Sequence, residues 1–166
     1  MQKIIIIGCP GSGKTTLATQ LGAKLNISVH HLDKYFWKEN WTPTPQDEFR
    51  KIQNELMSGP RWILDGNFTK SIDNRLAQAD TVVFLDFPKR IILWRVFRRY
   101  LKDWGKVRPD MGGDNEGIQW SFVKFILNYP THEVYAVLKQ QAGDKKVHVL
   151  HNPKEASNFL NRVLKQ

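Results

Sequence analysis

Residues 8–15 carry the groups that bind a polyphosphate. They read Gly-Cys-Pro-Gly-Ser-Gly-Lys-Thr and follow the apolar run Lys3–Ile7. Glycines let the backbone bring several N–H groups to one phosphate, and the positive end of the next helix adds to the attraction. The Lys14 ammonium can reach the β- and γ-phosphates, and the Thr15 hydroxyl can ligate Mg²⁺. The pattern is a P-loop in a strand–loop–helix context, so the sequence predicts binding of a nucleoside triphosphate.

Two aspartates are candidates for the magnesium site. Asp65 and Asp86 each end an apolar run that is typical of a buried strand. A carboxylate there can hold Mg²⁺ through water beside Thr15. We favour Asp65, because Asp86 lies just before Pro88 and can equally cap the next helix. The alternative for Asp65 is a carboxylate that only caps the turn after its strand.

Asp33 is the candidate group for a phosphoryl acceptor. It follows the predicted second strand, in the order His30-His31-Leu32-Asp33. A carboxylate there can take the proton of an acceptor hydroxyl, whereas an ionised phosphate acceptor needs no base. A hydrogen bond to the substrate without base action, and a surface aspartate without a role, stay open as alternatives. His30 and His31 are predicted to be structural.

A helix with a basic face is predicted over Lys89–Lys102. The apolar positions at core spacing are Ile92, Leu93, Val96, Phe97 and Tyr100, and the basic positions opposite are Arg95, Arg98, Arg99 and Lys102. Residues 89–108 carry +7 of the formal net charge of +9. Aligned arginines beside a P-loop can neutralise charge on a transferred phosphoryl group. Binding of a nucleic-acid backbone, or a merely solvated face, are the alternatives.

Two further segments are predicted to contact ligands. Residues 35–41 are dense in aromatic side chains, which either stack on a ring-bearing acceptor or pack over the core. They belong to a predicted acceptor-binding segment of about residues 33–60. Residues 104–117 contain four glycines and are predicted to form a short lid.

The order of elements predicts an α/β fold. The predicted strands are Lys3–Ile7, Ile27–His31, Arg61–Asp65, Thr81–Asp86 and Val147–Leu150, and the predicted helices are Lys14–Leu25, Gln46–Met57, Lys89–Lys102 and Pro153–Leu164. Strands separated by helices imply a parallel sheet with helices on both faces. We therefore expect a single domain over residues 1–166 with the P-loop NTPase fold, five parallel strands and a short lid. Its ligands should bind beyond the carboxyl ends of the strands.

Composition narrows the setting. The single cysteine, Cys9, excludes a disulfide framework, and no run approaches the length of a membrane span. Met1-Gln2-Lys3 leads into a strand rather than a signal peptide. A cytoplasmic protein without a membrane partner is predicted, and its oligomeric state is left open.

Over essentially its whole length the sequence resembles the adenylate-kinase-like group of P-loop kinases. Leu64-Asp65-Gly66 is similar to the Leu-Asp-Gly-Phe-Pro-Arg element of adenylate kinases, and Asp86-Phe87-Pro88 with the arginines after it is similar to their Asp-Val-Pro strand end and helix. The resemblance implies that Arg95 lies against the adenine and that Arg99 contacts the phosphates. It also implies that Arg108 is a lid arginine and that Asn152-Pro153 borders the adenine.

More narrowly, the sequence resembles the so-called DNA topology modulation proteins. The residues that carry this resemblance are His31-Leu32-Asp33, Trp37, Trp41, Asp65-Gly66-Asn67, Arg75, Asp86-Phe87-Pro88, Arg108-Pro109-Asp110 and Asn128-Tyr129-Pro130. Their name implies an influence on DNA supercoiling, whereas their sequences are those of small kinases. Thr69 stands where adenylate kinases place an arginine for the acceptor phosphate. Lys34, Arg50, Arg61, Lys70 and Arg75 are the substitutes if the acceptor is a nucleotide.

The leading hypothesis is an ATP- and Mg²⁺-dependent phosphotransferase for a nucleotide, nucleoside or other small molecule. The predicted catalytic residues are Lys14, Asp33, Arg95, Arg99 and Arg108, with Thr15 and Asp65 at the metal. The predicted nucleotide contacts are Gly8, Pro10, Gly11, Ser12, Gly13, Lys14, Thr15, Thr16, Arg95, Asn152 and Pro153, and the predicted acceptor contacts are Asp33, Trp37, Gly66, Asn67 and Arg75. The alternative is an ATP-binding protein or ATPase that binds DNA and influences its topology.

Overall fold

The most apolar run of the chain forms the centre of the sheet. Ile4, Ile5, Ile6 and Ile7 are all 0% exposed, as expected for a parallel strand covered on both faces. A computed structural model describes residues 1–39, 42–103 and 120–163 of the chain. The strands are β1 (Lys3–Gly8), β2 (Val29–His31), β3 (Trp62–Asp65), β4 (Thr81–Leu85) and β5 (Lys146–Leu150). The helices are α1 (Lys14–Leu25), α2 (Asp33–Phe36), α3 (Gln46–Leu56), α4 (Ile72–Gln78), α5 (Lys89–Asp103), α6 (Trp120–Leu127), α7 (Thr131–Gln141) and α8 (Pro153–Val163), with a 3₁₀ turn at Thr69–Ser71.

All five strands are parallel, in the order β2-β3-β1-β4-β5. From β1 the chain runs to the edge strand β2, returns to β3 beside β1, and then crosses to β4 and β5 on the other side. Right-handed crossovers then place α1 on one face of the sheet and the connections from β2 to β5 on the other. Accordingly, α1 contacts α8, and α4 contacts α7 and β1. The predicted fold, a single-domain parallel sheet with helices on both faces, is confirmed. The predicted lid, residues 104–117, lies outside the described residues.

The connections that follow β1 and β3 leave in opposite directions along the sheet, so the P-loop lies at a reversal of strand order. Ile6 pairs with Asp65 at the end of β3, and Gly8 pairs with Leu85 at the end of β4. Ligands of open α/β sheets bind at such a reversal. The topology therefore locates the candidate site at the carboxyl edge of β1, β3 and β4.

Several elements differ from the prediction. β2 begins at Val29 rather than Ile27, because Asn26 adopts φ 52° and the Ile27 amide caps α1 by donating to the Gly22 carbonyl at 3.0 Å. The four helices α2, α4, α6 and α7 were not predicted. They are short or lack a cap signal in the sequence, and packing against the sheet decides them.

On α5, the prediction that Phe97 belongs to the core is wrong. Ile92 and Val96 are buried as expected, but Phe97 is 43% exposed and Trp94 is 61% exposed. The spacing of apolar residues shows which face of a helix is packed, but not how many residues of that face are covered. No helix within the three described ranges is long and apolar enough to span a membrane.

Asp80 joins the amino ends of three strands. Its carboxylate accepts hydrogen bonds from the amides of Gln2 at 2.7 Å and Lys3 at 3.1 Å, and from the Thr81 hydroxyl at 2.6 Å. Its carbonyl accepts from the Lys146 amide at 3.1 Å. Burial alone would raise the pKa of Asp80, but the hydrogen bonds outweigh it and hold the pKa below its usual value of 3.8.

We expect Asp80→Ala to lower the free energy of unfolding at pH 7 by about 1–3 kcal/mol, because the amides of Gln2 and Lys3 and the Thr81 hydroxyl lose a charged acceptor. The depressed pKa makes this contribution complete above about pH 4 and lost as the pH falls further. Urea unfolding at pH 7 and at pH 3 measures it, with the exposed Asp144→Ala as control. A deficit of the same size at both pH values would contradict the assignment.

Candidate active site

The P-loop conformation depends on its glycines. Gly11 and Gly13 have φ +83° and +96°, in the left-handed region that side chains disfavour. A Cβ on Gly11 would lie 2.7 Å from Val96 Cγ2, and one on Gly13 would lie 2.9 Å from Arg95 Nη1. The start of α1 has no side-chain cap. The N–H groups of its first turn are therefore available to an anion, which is what phosphate binding by a P-loop requires.

Arg95 supports the loop from α5. Its Nη1 donates to the Ser12 carbonyl at 2.6 Å, and its guanidinium lies 5.1 Å from the centre of the Phe87 ring. Desolvation lowers the pKa of Arg95, which nonetheless remains charged. Arg99, one turn further along, is exposed. The predicted adenine contact of Arg95 stays a prediction, as does the phosphate contact of Arg99; Arg108 lies outside the described part of the chain.

Lys14 is held in the loop beside two carboxylates. Its Nζ donates to the Cys9 carbonyl at 3.2 Å. Desolvation lowers the pKa of Lys14, and the nearby charges of Asp65 and Asp33 oppose that effect. Cys9 is buried, and burial raises the pKa of its thiol to about 11, so it remains neutral. The ammonium is therefore the local cation of the phosphate cradle.

Asp65 is the carboxylate that the structure brings to Thr15. Its Oδ2 accepts a hydrogen bond from Thr15 Oγ1 at 2.8 Å and lies 2.9 Å from His31 Nδ1. Its Oδ1 is buried without a hydrogen-bond partner among the described residues, which is the state of an oxygen that a hydrated cation would satisfy. Asp86 instead accepts from Tyr135 Oη at 2.7 Å. The geometry therefore fits Mg²⁺ beside Thr15 and Asp65, whereas the Asp86 carboxylate is engaged by Tyr135.

His31 was predicted to be structural and lies in the site through Asp65. In the β2–β3 register His31 is the direct neighbour of Asp65. The parallel register of adjacent strand ends is the signal that could have linked the two residues. No cluster of three or more His, Cys, Asp or Glu side chains suited to a metal occurs in the described ranges. Mg²⁺ in nucleotide sites needs only one or two protein ligands besides phosphates and water.

Asp33 is the first residue of α2, two residues after the end of β2 at His31. The amide of Leu32, which is fully buried, donates to the Asp65 carbonyl at 2.8 Å and fixes the start of the helix. Desolvation raises the pKa of Asp33, Lys14 opposes the rise, and Asp65 adds to it. These three charged groups thus share one site. Trp37 closes the turn, with its amide donating to the Asp33 carbonyl at 3.2 Å.

The aromatic segment divides between core and surface. Phe36 packs on Phe49 and Phe68, with ring centres 5.0 Å and 4.7 Å away. Tyr35 and Trp37 are 36% and 42% exposed. Packing over the core is therefore observed for Phe36, whereas stacking of Tyr35 or Trp37 on an acceptor stays a prediction. Trp41 lies outside the described residues.

Arg75 is engaged by the backbone of the loop after β3, and its predicted contact with an acceptor stays a prediction. It is 0% exposed, and its guanidinium donates to the carbonyls of Gly66 at 2.7 Å, Asn67 at 3.0 Å and Phe68 at 2.8 Å. Burial lowers its pKa to about 10. Arg75 holds the loop after β3 in shape. Gly66 is itself buried, with Leu32 and Phe68 packed beside it.

Asn67 and Asn152 make defined contacts. Asn67 Oδ1 accepts from Tyr129 Oη at 2.6 Å, a partner that sequence analysis did not assign. Asn152 Nδ2 donates to Glu155 Oε1 at 2.7 Å, and its Oδ1 accepts from the Glu155 amide at 3.0 Å. Asn152-Pro153 is therefore the capped start of α8. Its predicted contact with adenine stays a prediction.

Comparison with known proteins gives one family match and two relatives. A family model described as an AAA domain, AAA_18, matches residues 4–146. The uncharacterized protein YqaC of Bacillus subtilis (strain 168) is 32% identical over 106 residues, which cover 63% of this chain and 60% of YqaC. An adenylate kinase of Pyrobaculum aerophilum is 25% identical over 183 residues, which cover 90% of this chain and 84% of that enzyme.

Solved kinases share the fold. Shikimate kinase from Acinetobacter baumannii, solved in complex with shikimate, matches with a TM-score of 0.60 and 17% identity, covering 99% of this chain and 92% of that one. A sugar kinase from Janibacter sp. matches with a TM-score of 0.61 and 18% identity, covering 99% and 93%. At these identities the likeness concerns the fold alone. The chain therefore belongs to the AAA_18 family and has a P-loop kinase fold.

Proposed function

We propose that this protein is an ATP- and Mg²⁺-dependent phosphotransferase that acts on a small-molecule acceptor. The observation that carries the proposal is the hydrogen bond from Thr15 Oγ1 to Asp65 Oδ2 beside the Lys14 ammonium. It joins the two sequence signals of a nucleotide site at one point, the carboxyl edge of the sheet. The kinase fold of its structural neighbours and the adenylate kinase among its relatives support the same conclusion.

The residues divide the work on the donor side. The loop amides and Lys14 bind the phosphates, where their charge opposes the charge that develops during transfer. Thr15 and Asp65 would hold Mg²⁺, which supplies neutralisation and orientation of the phosphate oxygens when bound. The uncapped start of α1 and Asp65 Oδ1, which has no hydrogen-bond partner in the described part of the chain, support this assignment. Arg99 and Arg108 are proposed to close over the triphosphate.

Asp33 works on the acceptor side. It lies close enough to Lys14 and Asp65 for their charges to act on it. Its carboxylate accepts the proton of an attacking hydroxyl and so raises the nucleophilicity of the oxygen. A group held in this position also orients the acceptor toward the phosphates.

The direct test is ADP release from ATP and Mg²⁺ with a panel of nucleosides, nucleoside monophosphates and small hydroxylated metabolites. We expect one acceptor class to raise ADP release and to appear as a phosphorylated product. A slow rate that no compound changes but that DNA raises would favour the alternative, an ATPase that acts on DNA. That outcome would also support the resemblance to the DNA topology modulation proteins.

We expect Lys14→Ala to lower kcat/KM for ATP by about 100-fold or more, because the phosphates lose the ammonium of the P-loop. Steady-state ADP release measures the effect. Lys24→Ala is the matched control, since Lys24 lies in the last turn of the same helix and away from the loop. Wild-type turnover in Lys14→Ala would remove the basis of the P-loop assignment.

We expect Asp33→Asn to lower kcat by about 10²–10⁴-fold with little change in the affinity for ATP. The wild-type rate should fall with decreasing pH as Asp33 is protonated, beginning at a higher pH than for an ordinary aspartate because the pKa is raised. The variant should lose this acid limb. A pH–rate profile with and without the change measures both, and Asp144→Asn at the far end of the sheet is the control. An equal loss of ATP binding would place Asp33 in the nucleotide site instead.

A further inference from the structure

The side chain of Arg75 stabilises the fold through its hydrogen bonds. Arg75 is fully buried, and both of its terminal nitrogens donate to carbonyls of the loop after β3. Turning it toward a ligand would leave those carbonyls without a donor, each at a cost comparable to a lost hydrogen bond. Arg75 is thus withdrawn from recognition of a substrate anion.

The other two arginines between β2 and β4 are also engaged. Arg50 Nη2 donates to the Lys70 carbonyl at 2.9 Å and lies 3.3 Å from Asp73 Oδ1. Arg61 Nη2 donates to the Leu25 carbonyl at 2.7 Å, just before the start of β3 and therefore at the opposite edge of the sheet. A phosphate monoester is bound most firmly by a forked pair of arginine hydrogen bonds, and in the structure both arginines direct such bonds to the protein itself.

The lysines of this region do not replace them. Lys38 donates to both carboxylate oxygens of Glu48 at 2.9 Å. Lys34, Lys51 and Lys70 are exposed and form no ion pair with the residues that the structure describes. An exposed lysine on a flexible stem contributes about 0–1 kcal/mol to an ionic contact.

What the acceptor side does present is a carboxylate and an aromatic ring. Asp33 is the first residue of α2, and Trp37 follows the last, with its amide donating to the Asp33 carbonyl at 3.2 Å. Trp37 packs edge-on against Phe36, with ring centres 4.9 Å apart, and is still 42% exposed. A carboxylate repels a phosphate monoester and accepts a hydrogen bond from a hydroxyl.

We propose that the acceptor is an uncharged compound that carries a hydroxyl group and a flat or sugar-like ring, and not a nucleoside monophosphate. The inference rests on the proposed phosphotransferase function and names its substrate class. Asp33 receives the hydroxyl of the acceptor, and Trp37 receives its ring face. Nucleosides and sugars or cyclic polyols share this chemistry.

The transfer balances with the residues on this face. The acceptor oxygen forms a bond to the γ-phosphorus of the triphosphate, and the bond from that phosphorus to the β,γ-bridging oxygen breaks. The hydroxyl proton passes to the Asp33 carboxylate and then to solvent. The products are a phosphate monoester and the nucleoside diphosphate.

The test is product analysis by mass spectrometry after incubation with ATP and Mg²⁺. One panel contains nucleosides, sugars and cyclic polyols, and the other contains the ribo- and deoxyribonucleoside monophosphates. We expect a phosphorylated product from the first panel only, and the compound that reacts distinguishes a nucleoside from a sugar. A nucleoside diphosphate formed from the second panel would overturn the inference while leaving the phosphotransferase function intact. ATP bound and no product from either panel would also count against the inference.

Variants test the two contacts separately. With a saturating concentration of ATP, Trp37→Ala should raise KM for the acceptor about 2–10-fold at nearly constant kcat, and Trp37→Phe should restore it, since the ring contributes stacking. Lys34→Ala and Lys70→Ala should change KM less than 2-fold, because no acceptor phosphate meets them. A 10-fold rise in either lysine variant would show a charged acceptor. If wild type and Lys14→Ala bind ATP equally well, the proposed function itself is contradicted.

Discussion

Burial of β1 on both faces is the constraint on which the site depends. Its four isoleucines have no exposed surface, so β1 must lie between β3 and β4, and the P-loop must emerge between their carboxyl ends. The register then sets Asp65 beside Ile6, two residues before the loop begins. Apolar packing at the centre of the sheet thus fixes the distance between a carboxylate and a hydroxyl that are 50 residues apart in sequence.

A second layer of order comes from charged side chains that act on backbone carbonyls. Arg75 holds the loop after β3, and Arg95 holds the P-loop through Ser12. Charge-assisted hydrogen bonds of this kind are stronger than neutral ones and set geometry where no regular ladder does. The two loops at the site are therefore each held by an arginine from a neighbouring helix, one from α4 and the other from α5.

The sequence determines the donor half of this site more directly than the acceptor half. The P-loop is a local pattern, and Asp65 follows from the end of a strand, so both could be assigned from the residues alone. Arg75 could not, because its role depends on three carbonyls of an irregular loop seven to nine residues earlier, whose shape no sequence pattern predicts. The exposed Phe97 shows the same limit on α5, where spacing locates an apolar face and the neighbouring elements decide how much of it is covered. His31 was given a structural role because its partner lies on another strand.

The bond between Arg95 and Ser12 also has a mechanical consequence. It joins α5, a helix of 15 residues, to the loop through the Arg95 guanidinium, and Val96 of the same helix lies against Gly11. A displacement of α5 would therefore also displace the backbone of Ser12. A contact made elsewhere along α5 would in this way alter the anion site without touching it.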